Sequence, residues 1–227
     1  MSDAAPDRRL ATVELLGVLA YGQLRSFGAM SAAVRFAPDA RAADRIAGFA
    51  RREHDAYQVL HDHLATLTDL PTAAMDRQKG LFDRFFGRAP LDDWFGASVF
   101  FAFGIPLARD FMRTVVPMLD PDSGDVVLRT LQDRAEVEAA AIGLLRSELT
   151  SDMLRERARA IVADLLGQAL TSFQQAAGDS DALSILLGAE DDEASVEVRT
   201  LAMGLLTAHR ARLVELGLED PEDLSSD

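Results

Sequence analysis

Four acidic residues stand where buried chemistry would need them. Glu14 interrupts the apolar run "LATVELLGVLAYGQL", and at about 100° per residue it falls within about 60° of Leu10, Gly17, Val18 and Tyr21. Glu53 shares a helical face with Phe49, Ala56, Tyr57 and Leu60, and Glu138 shares one with Leu131, Ala135, Ile142 and Leu145. Each of these glutamates therefore sits on the apolar side of its helix. Asp110 lies about 100° from the stripe of Phe100, Leu107, Phe111, Val115 and Met118, beside Phe103 and Thr114, and is a fourth candidate. A carboxylate so placed must reach solvent, hold a proton, pair with a cation or bind a metal. Left alone in the interior its charge is costly. The chain has no cysteine and only 4 histidines, so a transition-metal site would rest on carboxylates and imidazoles.

The elements that position these acids are helical throughout. Apolar residues recur three and four apart over about 9–34, 40–68, 93–119, 123–149, 151–177 and 192–217, and β-branched alternation is almost absent. Turn residues punctuate the pattern at "FAPDAR", "TDLPTAAM", "GRAPLDDW", "LDPDSGD", "AAGDSD" and "GAEDDEAS". Asp122, Ser123 and Ser151 read as N-caps, and Pro106 should kink the third long helix because it lacks a backbone donor. The pattern predicts an all-α fold, a four-helix bundle with additional C-terminal helices over residues 1–218. Residues 219–227 form an acidic tail expected to be disordered. A crossover over 70–92, with a short helix at "RQKGLFDRFF", should join the second and third long helices.

Composition narrows the function. The net charge of −14, from 23 basic against 37 acidic residues, disfavours nonspecific binding to nucleic acid. No apolar run approaches the ~20 residues of a membrane span, and the N-terminus lacks a secretory pattern, so no membrane and a cytoplasmic location are expected. The one basic-aromatic segment interleaves Phe82, Phe85, Phe86 and Trp94 with Arg77, Lys79, Arg84 and Arg88. It would either stack a nucleic-acid base or cap the core. His54, Gln58 and His61 line a second face of their helix, read as solvated.

Several segments together resemble a known family. "ELLGVLAYGQL" (14–24), Glu53 in "ARREHDAYQVL", "AAM" with "PLDDW" (73–94), "RDFMRTVVPMLD" (109–120) and "LLGQAL" (165–170) are similar to the actinobacterial branch of the ferritin-like di-iron superfamily. That branch is in turn similar to tRNA hydroxylases acting on 2-methylthio-isopentenyladenosine. The resemblance implies a ferritin-like fold, a di-iron cofactor, O2-dependent C–H hydroxylation and a tRNA or small-molecule substrate. Iron would be held by Glu14, Glu53 and Glu138, with Asp110 as a further ligand. The chain departs from that pattern where it matters. The histidine places read Ala56 and Ala141, Glu136 stands two residues before Glu138, the acid of the family's Gly-Asp-Gly turn falls near Phe103, and Gln168 replaces an acid.

With both imidazoles missing, three readings stay open. One is a hydroxylase-like protein with a degenerate metal site; the second is a non-enzymatic bundle, a scaffold or homodimerisation module with a buried Glu/Arg cluster in place of iron; the third is a mixed or single-metal carboxylate site on Glu14, Glu53 and Glu138. In the second, Arg134, one turn before Glu138, bridges it to Glu14 or Glu53. Tyr21 and Tyr57 are read as hydrogen-bond donors to the acids.

Overall fold

A computed structural model of the chain describes residues 4–77, 79–132, 134–179, 185 and 191–219, with the side chains of 4–6, 81, 134, 173–179 and 191–202 outside the description. All regular structure among the described residues is helical: α1 (Ala4–Ala33), α2 (Ala40–Leu67), α3 (Pro71–Asp76), α4 (Lys79–Gly87), α5 (Trp94–Val99), α6 (Ile105–Val115), α7 (Pro121–Leu131), α8 (Arg134–Glu148), α9 (Asp152–Asp179) and α10 (Asp191–Leu216). The all-α ferritin-like expectation is met. The expected disordered tail lies almost wholly outside the described residues.

Helix starts follow local chemistry. Asp39 accepts from the Ala42 N–H at 2.7 Å to open α2, and Asp93 accepts from the Gly96 N–H at 2.7 Å to open α5. Burial pushes the Asp93 carboxyl up, but the Gly96 N–H and the Arg157 guanidinium at 2.6 Å outweigh it and hold the acid below its ordinary range. Ser151 caps α9 through the Leu154 N–H, as expected. The cap of α7 is Asp120, accepting from the Ser123 N–H at 3.0 Å, and not Asp122 or Ser123. Pro121 explains the shift: its fixed φ suits the first helical position, and that makes the preceding residue the cap.

Two further differences bear on the site. The fourth long helix of the sequence is two helices, because Gln132 adopts an extended backbone (φ −65°, ψ 149°) after α7. Residues before and after it therefore share no common wheel. The third long helix contains a π-helical turn at Phe100–Gly104, between α5 and α6, in which the Ile105 N–H reaches back to the Phe100 carbonyl. Pro106 follows at once. It has no N–H for the normal i−4 bond, so widening the helix here forfeits little.

The π-turn is the middle of the core. Phe100, Phe101, Ala102 and Phe103 are all buried, and each phenylalanine contributes on the order of 1.5–3 kcal/mol of apolar burial. Gly104 has no substitute there, since a Cβ would stand 2.4 Å from the Phe100 ring. The π-turn packs against α8 and α9, and α6 packs against α10. Together Trp94–Met118 form one continuous helical run, long and apolar enough on composition alone to cross a membrane, contrary to the sequence expectation. The protein itself covers this run, with 89% of its most apolar window buried.

α1 and α2 run antiparallel. Arg9 donates to the Leu67 carbonyl at one end, and near the other the Phe27 ring meets His54 edge-on at 5.1 Å. Toward the Arg9 end lies a separate apolar cluster that includes Leu15, Leu16, Leu64 and Val127.

Candidate functional site: a chain of alternating charge from core to surface

Where the sequence anticipates clustered acids, the structure holds acids and arginines in alternation. Glu53 on α2 is 1% exposed and accepts from Arg109 on α6, itself 2% exposed, at 2.6 Å. Arg109 also lies 3.5 Å from Glu138 on α8, and Glu138 accepts from Arg113 at 3.3 Å. Arg113 donates to Asp110 at 2.8 Å, and Asp110 accepts from Arg212 on α10 at 2.6 Å. Three carboxylates and three guanidiniums thus form one neutral chain across α2, α6, α8 and α10.

Glu53, Glu138 and Asp110 are brought together; Glu14 is not. Phe27 marks the level of His54 and hence of Glu53, and Glu14 lies thirteen residues earlier on α1, about 20 Å along the axis. Glu14 is half-buried at the level of the apolar cluster. Helical spacing fixes a residue's azimuth and says nothing of its height. Glu138 sits at the flank of its stripe, beside buried Val137, because the break at Gln132 resets the phase of α8.

The Arg134 side chain lies outside the described residues, and Arg109 occupies the bridging position between Glu53 and Glu138. On a straight wheel Arg109 falls about 180° from Phe100 and reads as exposed. The π-turn adds one residue to the helix and moves it to about 80°. A usable signal existed, since "RDFMR" places three charges inside the most apolar helix. Arg113, Arg212 and His209 were missed as well, the last two because α10 read as an appendage.

The remaining candidates stand apart. Tyr21 donates to Asp83 on α4 at 3.0 Å, and burial together with that carboxylate raises its pKa. Tyr57 lies in a row of rings between His54 (5.9 Å) and His61 (5.6 Å). Gln168 donates to Asp164 one turn back on its own helix. Glu136 pairs at the surface with Arg52. The crossover phenylalanines turn inward: Phe82 packs edge-on to Tyr21, and Phe86 is buried against Phe85 and Phe100. A base-stacking platform needs the opposite orientation.

Two features flank the charged chain. His209 on α10 is 2% exposed and packs edge-on against Phe103 at 5.4 Å. Burial and the neighbouring Arg212 push its pKa down to about 4, so the ring is neutral at physiological pH. A pocket of about 120 Å³, partly open to the surface, has residues of α1, α2, α4, α6, α9 and α10 in its lining, Glu53 and Arg109 among them.

The residues present do not fit the pair of irons that the resemblance implies. Iron needs carboxylate lone pairs converging on a shared void, with imidazoles to complete the set. Here the Glu53 carboxylate is turned onto a guanidinium at 2.6 Å, and Ala56 and Ala141 contribute buried methyls where imidazoles would stand. Three acids against three arginines are already balanced, so two Fe(II) would add four uncompensated positive charges. Among the described residues no group of three His, Cys, Asp or Glu could hold a metal ion.

A helical core crossed by inward-facing acids, with a long crossover between its second and third long helices, is the architecture that the sequence resemblance anticipated. No curated protein matches the chain. A family described as a ferritin-like domain of actinomycetes matches residues 7–190, and the chain belongs to that family.

Proposed function

We propose that this is a non-enzymatic ferritin-like bundle, a binding or dimerisation scaffold whose central glutamates are neutralised by arginine where iron-dependent relatives would use metal. The observation that carries the reading is the Glu53–Arg109 pair, almost wholly buried, with Arg109 shared by Glu138. Removing two charges from water is costly, and a fixed guanidinium between two carboxylates offsets that cost without a metal. The absence of cysteine is compatible with a reducing compartment, and cytoplasmic placement belongs to the same proposal.

The hydroxylase reading, acting on tRNA, rests on "ELLGVLAYGQL" and the other matching segments, and it requires iron. Metal analysis separates the two. Protein expressed in iron-supplemented medium should carry well under one iron per chain, and a chelator should leave its melting temperature unchanged. Two irons per chain, with a melting temperature that falls on chelation, would overturn the scaffold reading.

A further inference from the structure

We propose that the pocket beside Glu53 and Arg109 takes the end of a single alkyl chain, with the polar head of the molecule left in water at its mouth. The inference goes beyond the scaffold reading and is tested without reference to metal content. The space is about 120 Å³, close to the engineered apolar cavities of about 150 Å³ that accept benzene, so it holds a segment of about six carbons. Within the lining Leu19, Ile105 and Met112 are buried, while Val18, Phe111 and Leu170 are half-buried, so the wall runs from core to surface.

What the wall withholds sets the chemistry. Glu53 and Arg109 lie in the lining, yet they meet each other at 2.6 Å, and Arg109 also lies 3.5 Å from Glu138. Glu53 Oε2, Arg109 Nε and Gln23 Oε1 are all buried and show essentially no surface to the pocket. Nearly all of the surface that the pocket does show is hydrocarbon. A charged or hydrogen-bonding group that entered would leave water and find no partner, a loss that apolar contact does not offset.

Methylene groups face the opposite balance. Each one moved from water onto such a wall makes binding about fourfold tighter. The volume limits that gain to about six carbons, and the open side lets the rest of the molecule stay in solvent. An enclosed cavity would admit only a whole hydrocarbon. A pocket open on one side admits the end of an amphiphile.

A homologous series of n-alkyl glucosides from propyl to octyl, each below its micelle concentration, forms the test. Each is titrated into the full-length protein by calorimetry, with the Met112 methyl resonance reporting occupancy. The dissociation constant should fall about fourfold per methylene as far as hexyl, then change by no more than about twofold to octyl. Ala169→Phe adds bulk to the lining from a half-buried position on α9. It should weaken hexyl glucoside by about tenfold while circular dichroism shows the helices intact. No binding at any length would overturn the proposal. So would an affinity independent of length, the mark of a headgroup site, or one still rising through octyl, the mark of an unbounded apolar surface. Unchanged binding by folded Ala169→Phe would place the chain outside this pocket and overturn it as well. If Ala169→Phe does not fold, the wild-type length profile still decides.

Discussion

The two levels of the α1–α2 pair solve the same problem differently. At the Arg9 end, Leu15, Leu16, Leu64 and Val127 fill the interior with hydrocarbon, and Glu14 stays half-buried. At the Phe27 end the interior admits Glu53 and Arg109, a π-turn and a cavity. The apolar level draws its stability from area removed from water, where each residue contributes nearly independently. The charged level holds only as a set, because each member is tolerable while its neighbour remains. The lesson is that burial alone does not tell a core from a site; the dependence between residues does.

Breaking that dependence should give the largest effect. Arg109→Met should destabilise the protein by about 3–5 kcal/mol in urea unfolding, while Glu53→Leu with Arg109→Met should recover most of the loss. A double variant no better than the single would mean that the pair is not the coupled unit described here.

The next effect depends on acid. The His209 ring has a folded pKa of about 4 against an ordinary 6.5, so between these values the unfolded chain holds a proton that the folded chain lacks. Stability from this residue is therefore present above pH 6.5 and lost as pH falls, by about 3 kcal/mol at pH 4. Asp93, held below the ordinary 3.8, stays ionised over most of that window. His209→Phe, which keeps the ring packed on Phe103, should flatten the profile. An unchanged slope between pH 6.5 and 4 would assign the acid sensitivity elsewhere.

The smallest effect sharpens the contrast from the apolar side. A Cβ on Gly17 would stand 2.7 Å from the Ala74 carbonyl oxygen, a backbone atom where α1 and α3 touch. Gly17→Ala should cost about 1–3 kcal/mol through overpacking and leave the acid profile of His209 intact. A shifted profile would show that the two levels are coupled.

The fold was legible because its signals are local. Periodicity, the turn clusters and the Ser151 cap place every long helix except across Gln132, where nothing in "RTLQDRAE" announces an extended residue. The site was legible in type and less so in membership. Glu53, Glu138 and Asp110 were read from their faces, and the need for an internal cation follows from charge balance. Arg109 was hidden because a π-turn rephases the helix, and Glu14 was overcounted because a wheel carries no axial coordinate. Arg212 and His209 lie beyond the stretch that matches the family, yet both lie at the charged level.

That last position has a consequence for synthesis. Asp110 and Arg212 are 102 residues apart in the chain. At roughly 5–20 residues per second, the ribosome releases the arginine some 5–20 s after the aspartate. Throughout that interval the Arg212 partner of Asp110 does not yet exist. Arg113, made almost at once and one helical turn away, is already beside Asp110 at 2.8 Å in the finished fold. A cation one turn away is thus in the chain well before α10 supplies the second partner of Asp110.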